Sequence, residues 1–123
     1  MPHEITCSQF FDGDVLHGAR RIVVADDGFV VAVEEHSGAT EYQIVCPGFV
    51  DVQMNGFDDV HVASASLEEL IQLDQMLLSR GTTSWLGTIV TAPLEKMTTS
   101  LSSLHDSYVS GHIPGFAGVH VEG

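Results

Sequence analysis

Basic side chains are scarce in this sequence: 4 Lys and Arg face 17 Asp and Glu, giving a formal net charge of −13 over 123 residues. Nucleic-acid backbones are bound by Lys and Arg displacing counterions, so a nucleic-acid partner is excluded on this balance. Net charge acts on solubility and long-range steering, not on chemistry, and an anionic substrate would need local positive groups. Long apolar runs are also missing. Phe29 to Val33 and Ile113 to Val121 are too short to span a bilayer, and Met1-Pro2-His3-Glu4 lacks the basic start and apolar core of an export signal. The expectation is a cytoplasmic protein with no membrane partner. Only Cys7 and Cys46 carry thiols; without an export signal they read as reduced, small hydrophobes with no functional role. A Gly-rich nucleotide-phosphate loop, a nucleophile elbow and cysteines at zinc spacing are all absent from the sequence.

What is present divides near Cys46. The first 45 or so residues read as short strands reversed at Asp12-Gly13 and at Asp26-Asp27-Gly28, with Ile22 to Val24 and Phe29 to Val33 as arms of the second hairpin. Because Val30 and Ala32 are apolar as well as Phe29, Val31 and Val33, both faces of that strand are expected to be covered. Residues 1–46 therefore read as part of a small β-sandwich. After Pro47-Gly48, strands alternate with helical segments, the pattern of βα units and a parallel sheet.

In this second part, Phe49 to Met54 reads as a buried parallel strand, followed by a loop over residues 55–65. Ser66 is placed to cap a helix, with Glu69 completing a capping box, and Leu67, Leu70, Ile71, Leu77 and Leu78 form its apolar stripe. Gly81 stops that helix, and Thr82 to Thr91 is a second strand rich in Thr, Val, Ile and Trp. Pro93 suits the first turn of a second helix, whose core positions are Leu94, Met97, Leu101 and Leu104. Gly111 and Pro114 end it, and Phe116 to Val121 makes a third strand. Residues 47–123 thus read as β-α-β-α-β, in an α/β fold. Stopping at a third parallel strand would leave an edge unpaired and apolar surface exposed, so the expectation is a truncated chain.

Catalytic groups in parallel α/β architectures gather at the C-terminal ends of strands. The first such end carries Asp51-Val52-Gln53-Met54-Asn55-Gly56, and alternation puts Asp51, Gln53 and Asn55 on one face. The third carries His120-Val121-Glu122-Gly123, and His120 and Glu122 share a face by the same rule. Carboxylate and imidazole are both metal donors, but a catalytic zinc site normally takes three protein ligands and keeps one position open. Read alone, His120 serves equally well as a hydrogen-bonded core residue and Glu122 as a solvated strand end. His3, His17, His36, His61, His105 and His112 are scattered without ligand spacing and read as surface or loop residues. Asn55-Gly56 reads alone as an ordinary tight turn.

Three segments carry a more specific likeness. Pro47-Gly48-Phe49-Val50-Asp51-Val52-Gln53-Met54-Asn55-Gly56 resembles the strand-one signature of the N-acetylglucosamine-6-phosphate deacetylases, within the amidohydrolase superfamily. Gly81-Thr82-Thr83-Ser84-Trp85-Leu86-Gly87-Thr88 resembles that family's second-strand segment, and Gly118-Val119-His120-Val121-Glu122-Gly123 its third. The superfamily usually has His-x-His on strand one, whereas this chain has Gln53-x-Asn55, as one branch of the deacetylases does. Two neutral amides are poorer ligands than two imidazoles, so the resemblance implies a single divalent ion, Zn2+ or alternatively Fe2+.

The resemblance further implies the first three strands and two helices of a metal-dependent hydrolase (β/α)8 barrel, an N-terminal fragment of an enzyme that hydrolyses N-acetyl-D-glucosamine 6-phosphate to D-glucosamine 6-phosphate and acetate. Glu122 would be a metal ligand, Gln53, Asn55 and His120 would line the site, and no catalytic residue would lie within the chain. The catalytic Asp and two ligand histidines are expected beyond residue 123, so the chain is expected to be inactive alone. Its partner would be a small amino-sugar phosphate, and the intact enzyme a homodimer. Asp58-Asp59 and Gly87 depart from the family pattern, where a glycine pair and a proline are common, and they bear on local geometry. Two other readings stay open: a fragment of another superfamily member acting on a cyclic amide, and a non-catalytic interaction module.

Overall fold

The computed structural model describes residues 1–123, which divide into two compact units, Met1–Pro47 and Gly48–Gly123. Unit 1 is a single sheet built from β1 (His3–Phe11), β2 (Leu16–His17), β3 (Arg20–Val24), β4 (Val30–Glu35) and β5 (Tyr42–Val45). β1 runs through its centre. One edge pairs antiparallel with β3 and then, in the same register beyond Gly18-Ala19, with β2; the other edge pairs parallel with β5. The Asp12 carboxylate closes the first turn by accepting the N–H groups of Asp14 and Val15. The second closes through Ala25 and Phe29, with Asp27 accepting the Phe29 N–H. Both hairpins fall where the Asp-Gly signals put them.

The faces of this sheet differ. On one, Arg21 donates to both Glu4 and Glu34 across three strands. On the other, Ile5, Ile22 and Val33 are in register, and Ile5, Phe10, Ile22, Val24 and Val30 line an apolar cavity of about 260 Å³. Unit 1 thus contains one sheet. Val30, Val31 and Val33 are all exposed, so neither face of β4 is covered, contrary to the sequence expectation. Cys7 is buried and Cys46 exposed, both free.

Unit 2 starts with β6 (Phe49–Met54), followed by β7 (Gly56–Phe57), β8 (Val60–His61) and a 3-10 turn at Val62–Ser64. The segment read as a loop is thus a small hairpin, with Asp58-Asp59 at its tip and Asp58 in the left-handed region at φ 55°. Asp tolerates that conformation better than most residues, which is how the chain manages without glycines there. Helix α1 (Leu67–Ser79) carries the capping box as read: the Glu69 N–H donates to Ser66 Oγ at 3.2 Å, and the Ser66 N–H to the Glu69 carboxylate at 2.7 Å. Gly81 ends the helix at φ 91°, a value that only glycine takes readily.

Strand β9 (Thr82–Ile89), helix α2 (Leu94–Val109) and β10 (Phe116–Val121) complete the β-α-β-α-β order read from the sequence. The sheet order is β10-β9-β6, all parallel. Its core packs Trp85, Ile89, Phe116 and Met54 of the sheet against Leu70, Leu73 and Leu77 of α1 and Leu104 of α2. Trp85 is fully buried, stacks on Phe116 at 4.6 Å and donates its indole N–H to Asp74 at 2.7 Å. Gly87 lacks a side chain where a Cβ would come within 2.9 Å of Val62 and 3.1 Å of Phe116; this close approach is what the departure at that position allows.

The helix stripes need correction. In α1 the buried line is Leu70, Leu73, Leu77, while Leu78 is 60% exposed, because one step along a helix turns a side chain by about 100° away from the core line. In α2 Leu94 is 80% exposed and Leu101 44%, and Ser100, Leu104 and Ser107 face the core instead. Phe49, Val50 and Val52 are exposed as well, since β6 pairs on one side only.

Candidate active site

The core residues fix which face of the sheet carries the chemistry. Ile89 and Val121 are register partners, as are Thr88 and His120. Ile89 joins the core beneath the helices, so by alternation Thr88 and His120 point to the opposite face. There the ends of β6 and β10 meet across β9. Gln53 donates its side-chain amide to Glu122 Oε1 at 2.7 Å, and His120 Nδ1 bonds the carbonyl of Val52 at 2.7 Å.

On a flat sheet, strands two places apart lie about 10 Å from each other, too far for an imidazole on one to reach a backbone carbonyl of the other. The sheet must curl for an imidazole on one outer strand to reach the backbone of the other. A carbonyl only accepts, so His120 carries its proton on Nδ1 and, when neutral, leaves Nε2 as an acceptor. Thr88 lies on the strand between; it is 1% exposed and its hydroxyl has no hydrogen-bond partner.

Strict alternation fails along β6. Its register against β9 shifts between Asp51 and Met54, and Asp51 accepts the Gln53 N–H at 2.9 Å. Asp51 therefore serves the backbone. Asn55 lies just past the strand end, exposed, with its carbonyl accepting the Val62 N–H at 3.0 Å. Of the four residues singled out from the sequence, the structure joins Gln53 to Glu122 directly and His120 to the strand carrying Gln53. Sequence reading missed Asp51 as a backbone clamp and Thr88 as a buried polar group; an Asp side chain often bonds the backbone two residues on, whereas nothing marks Thr88.

No three His, Cys, Asp or Glu side chains gather closely enough to hold a metal ion. Gln53 occupies one oxygen of Glu122 and leaves the other, so these residues fit a cation as contributors of one carboxylate ligand, short of a three-ligand site. Within unit 1, His17 bonds Asp12 at 2.7 Å. A cavity of about 550 Å³ lies away from Gln53 and Glu122, between the 3-10 turn and α2 around Ser64, Lys96, Thr99 and Ser103.

No family model matches the chain. A Bos taurus N-acetylglucosamine-6-phosphate deacetylase is 37% identical over 83 residues, covering 65% of this chain and 20% of that protein. The Danio rerio enzyme of the same name is 27% identical over 115 residues, 91% of this chain and 27% of its own length. The chain is homologous to the N-acetylglucosamine-6-phosphate deacetylases. It spans about a fifth of the length of the Bos taurus and Mus musculus relatives it matches. Solved deacetylase structures carry the same fold: that from Thermotoga maritima superposes with a TM-score of 0.84 at 24% identity, over 98% of this chain and 32% of its own. A Mycobacterium smegmatis deacetylase in complex with N-acetyl-D-glucosamine 6-phosphate gives 0.82 at 23% identity, over 99% and 32%. The deacetylase likeness read from the three strand segments is therefore borne out, as is the α/β fold.

Proposed function

We propose that residues 1–123 supply three adjacent strands and one metal ligand to the active site of an N-acetylglucosamine-6-phosphate deacetylase. The observation that carries the reading is the Gln53–Glu122 bond across β9, at the strand ends where the three deacetylase-like segments converge. In this reading β6, β9 and β10 are the first three strands of a (β/α)8 barrel, a fold of roughly 250 residues, and the remaining ligands and the catalytic Asp come from outside residues 1–123. Glu122 would hold a divalent ion, Zn2+ in the first instance, with Gln53 bonded to one of its carboxylate oxygens. When bound, the ion polarises the acetamide carbonyl and activates water for amide hydrolysis. Gln53 keeps the carboxylate oriented, Asn55 offers an amide to the substrate side, and His120 holds the two strand ends together. The intact enzyme would be a cytoplasmic homodimer; no helix here is long and apolar enough to cross a membrane.

Grafting residues 1–123 in place of the homologous segment of the Thermotoga maritima deacetylase tests the reading. The chimera should release acetate from N-acetyl-D-glucosamine 6-phosphate, and Glu122→Ala within it should lower kcat/KM by more than about a hundredfold, as expected for loss of a metal ligand. A folded chimera whose activity is indifferent to Glu122→Ala would remove the assignment. The 123-residue chain by itself should show no turnover, since one carboxylate does not make a three-ligand site.

A further inference from the structure

We infer that the irregular end of β6 is an aiming device, in which Asp51 and His120 are positioning residues that hold the backbone so that the Gln53 amide meets Glu122. Val52 and Gln53 have no register partner on β9, although Asp51 before them and Met54 after them do. Their backbone groups are taken up by side chains instead. Asp51 accepts the Gln53 N–H at 2.9 Å, and His120 donates its Nδ1–H to the Val52 carbonyl at 2.7 Å. The two clamps thus bracket the peptide between Val52 and Gln53, one from its own strand and one from β10.

An irregularity of this kind shifts which way the next side chain points. Here the side chain released from strict alternation is Gln53, and it ends on Glu122 Oε1 at 2.7 Å. The amide can donate to only one carboxylate oxygen in this geometry, so Glu122 is presented with its Oε2 free and its rotation stopped. His120 and Glu122 sit two residues apart on β10 and act on consecutive residues of β6. The clamp and its target therefore move as one unit, which a single bond would not achieve. The inference rests on the proposed function only in taking Glu122 as the ligand being oriented.

The test uses the 15N-labelled 123-residue chain without metal, reading hydrogen exchange and chemical shift of the Gln53 side-chain amide, with the Trp85 indole N–H as a fold reporter. Asp51→Ala and His120→Leu should each speed Gln53 amide exchange by about tenfold, the scale of one charge-assisted hydrogen bond, and move its shifts to those of a free amide. Asp51→Asn and His120→Asn should restore the wild-type signals, because Asn offers an acceptor and a donor at nearly the positions of the lost ones. A Gln53 amide unchanged in both deletions overturns the inference. So does an Asn variant that keeps the Trp85 signal but releases Gln53, which also decides the matter if a deletion fails to fold. Because no metal enters the readout, a failure of the grafted enzyme and a failure of this device are separate results.

Discussion

The two units hold themselves together by different means. Unit 2 encloses twelve buried apolar side chains in one cluster, from Met54 to Phe116, whereas unit 1 fully buries only Cys7 and Ile22. The cause is the presence of helices. In unit 2, α1 and α2 cover one face of a three-stranded sheet and give Trp85 and Phe116 partners; in unit 1 the apolar face of a single sheet has none. The cross-strand links of unit 1 are exposed ion pairs such as Glu4–Arg21–Glu34, and pairs of that kind contribute little in water. Burial stabilises unit 2, and mostly local hydrogen bonds stabilise unit 1.

The sharpest way to break this comparison is Trp85→Ala, which removes the largest fully buried side chain and the indole hydrogen bond to Asp74. It should cost about 3–5 kcal/mol, seen as collapse of amide-exchange protection across Gly48–Gly123 with the hairpins of Met1–Pro47 much less affected. Equal loss in both units would show that they unfold together. Next in size is Thr88→Val. It removes a buried hydroxyl that has no partner, so it should raise stability by about 1 kcal/mol, read as a higher urea midpoint at unchanged slope; a lower midpoint would mean that the hydroxyl is satisfied in solution.

Acid should act mainly on unit 1. Asp12 is held well below the usual carboxylate range by its hydrogen bond to His17 and by the N–H groups of Val15 and Asp14, and Glu4 is lowered by Arg21. Glu69 in unit 2 is lowered by the N–H of Ser66. A carboxyl with a lowered folded pKa contributes stability above its unfolded value, about pH 4, and loses it as pH falls through the folded one. All three groups are exposed, so the effect is the smallest of the set. Followed downward from pH 6, amide-exchange protection should fall around Glu4 and the Ser66 cap first and around the Asp12 turn last, since Asp12 keeps its charge furthest into acid.

How much was legible in the sequence follows from the range of each interaction. The capping box of Ser66 and Glu69, the stop at Gly81 and the Asp-Gly turns are contacts within a few residues, and they appear where they were read. The strand order of unit 2 was legible because strands and helices alternate. The α1 stripe was misplaced at Leu78 and missed Leu73, since periodicity gives a face only to within about a third of a turn. The parallel pairing of β5 with β1 was not legible at all, as no local signal chooses a strand's partner.

For the candidate site, the sequence by itself determined which residue types stand at the strand ends, and it singled out Gln53, Asn55, His120 and Glu122. Only the tertiary structure decided that Gln53 reaches Glu122, that His120 serves Val52 and that Asp51 turns to its own backbone. Those first two bonds join residues 69 and 68 positions apart, over a strand that lies between them. The His120 bond depends on the curl of the sheet and the aim of Gln53 on a register shift in β6, and both are properties of how strands pack together, which no run of neighbouring residues encodes.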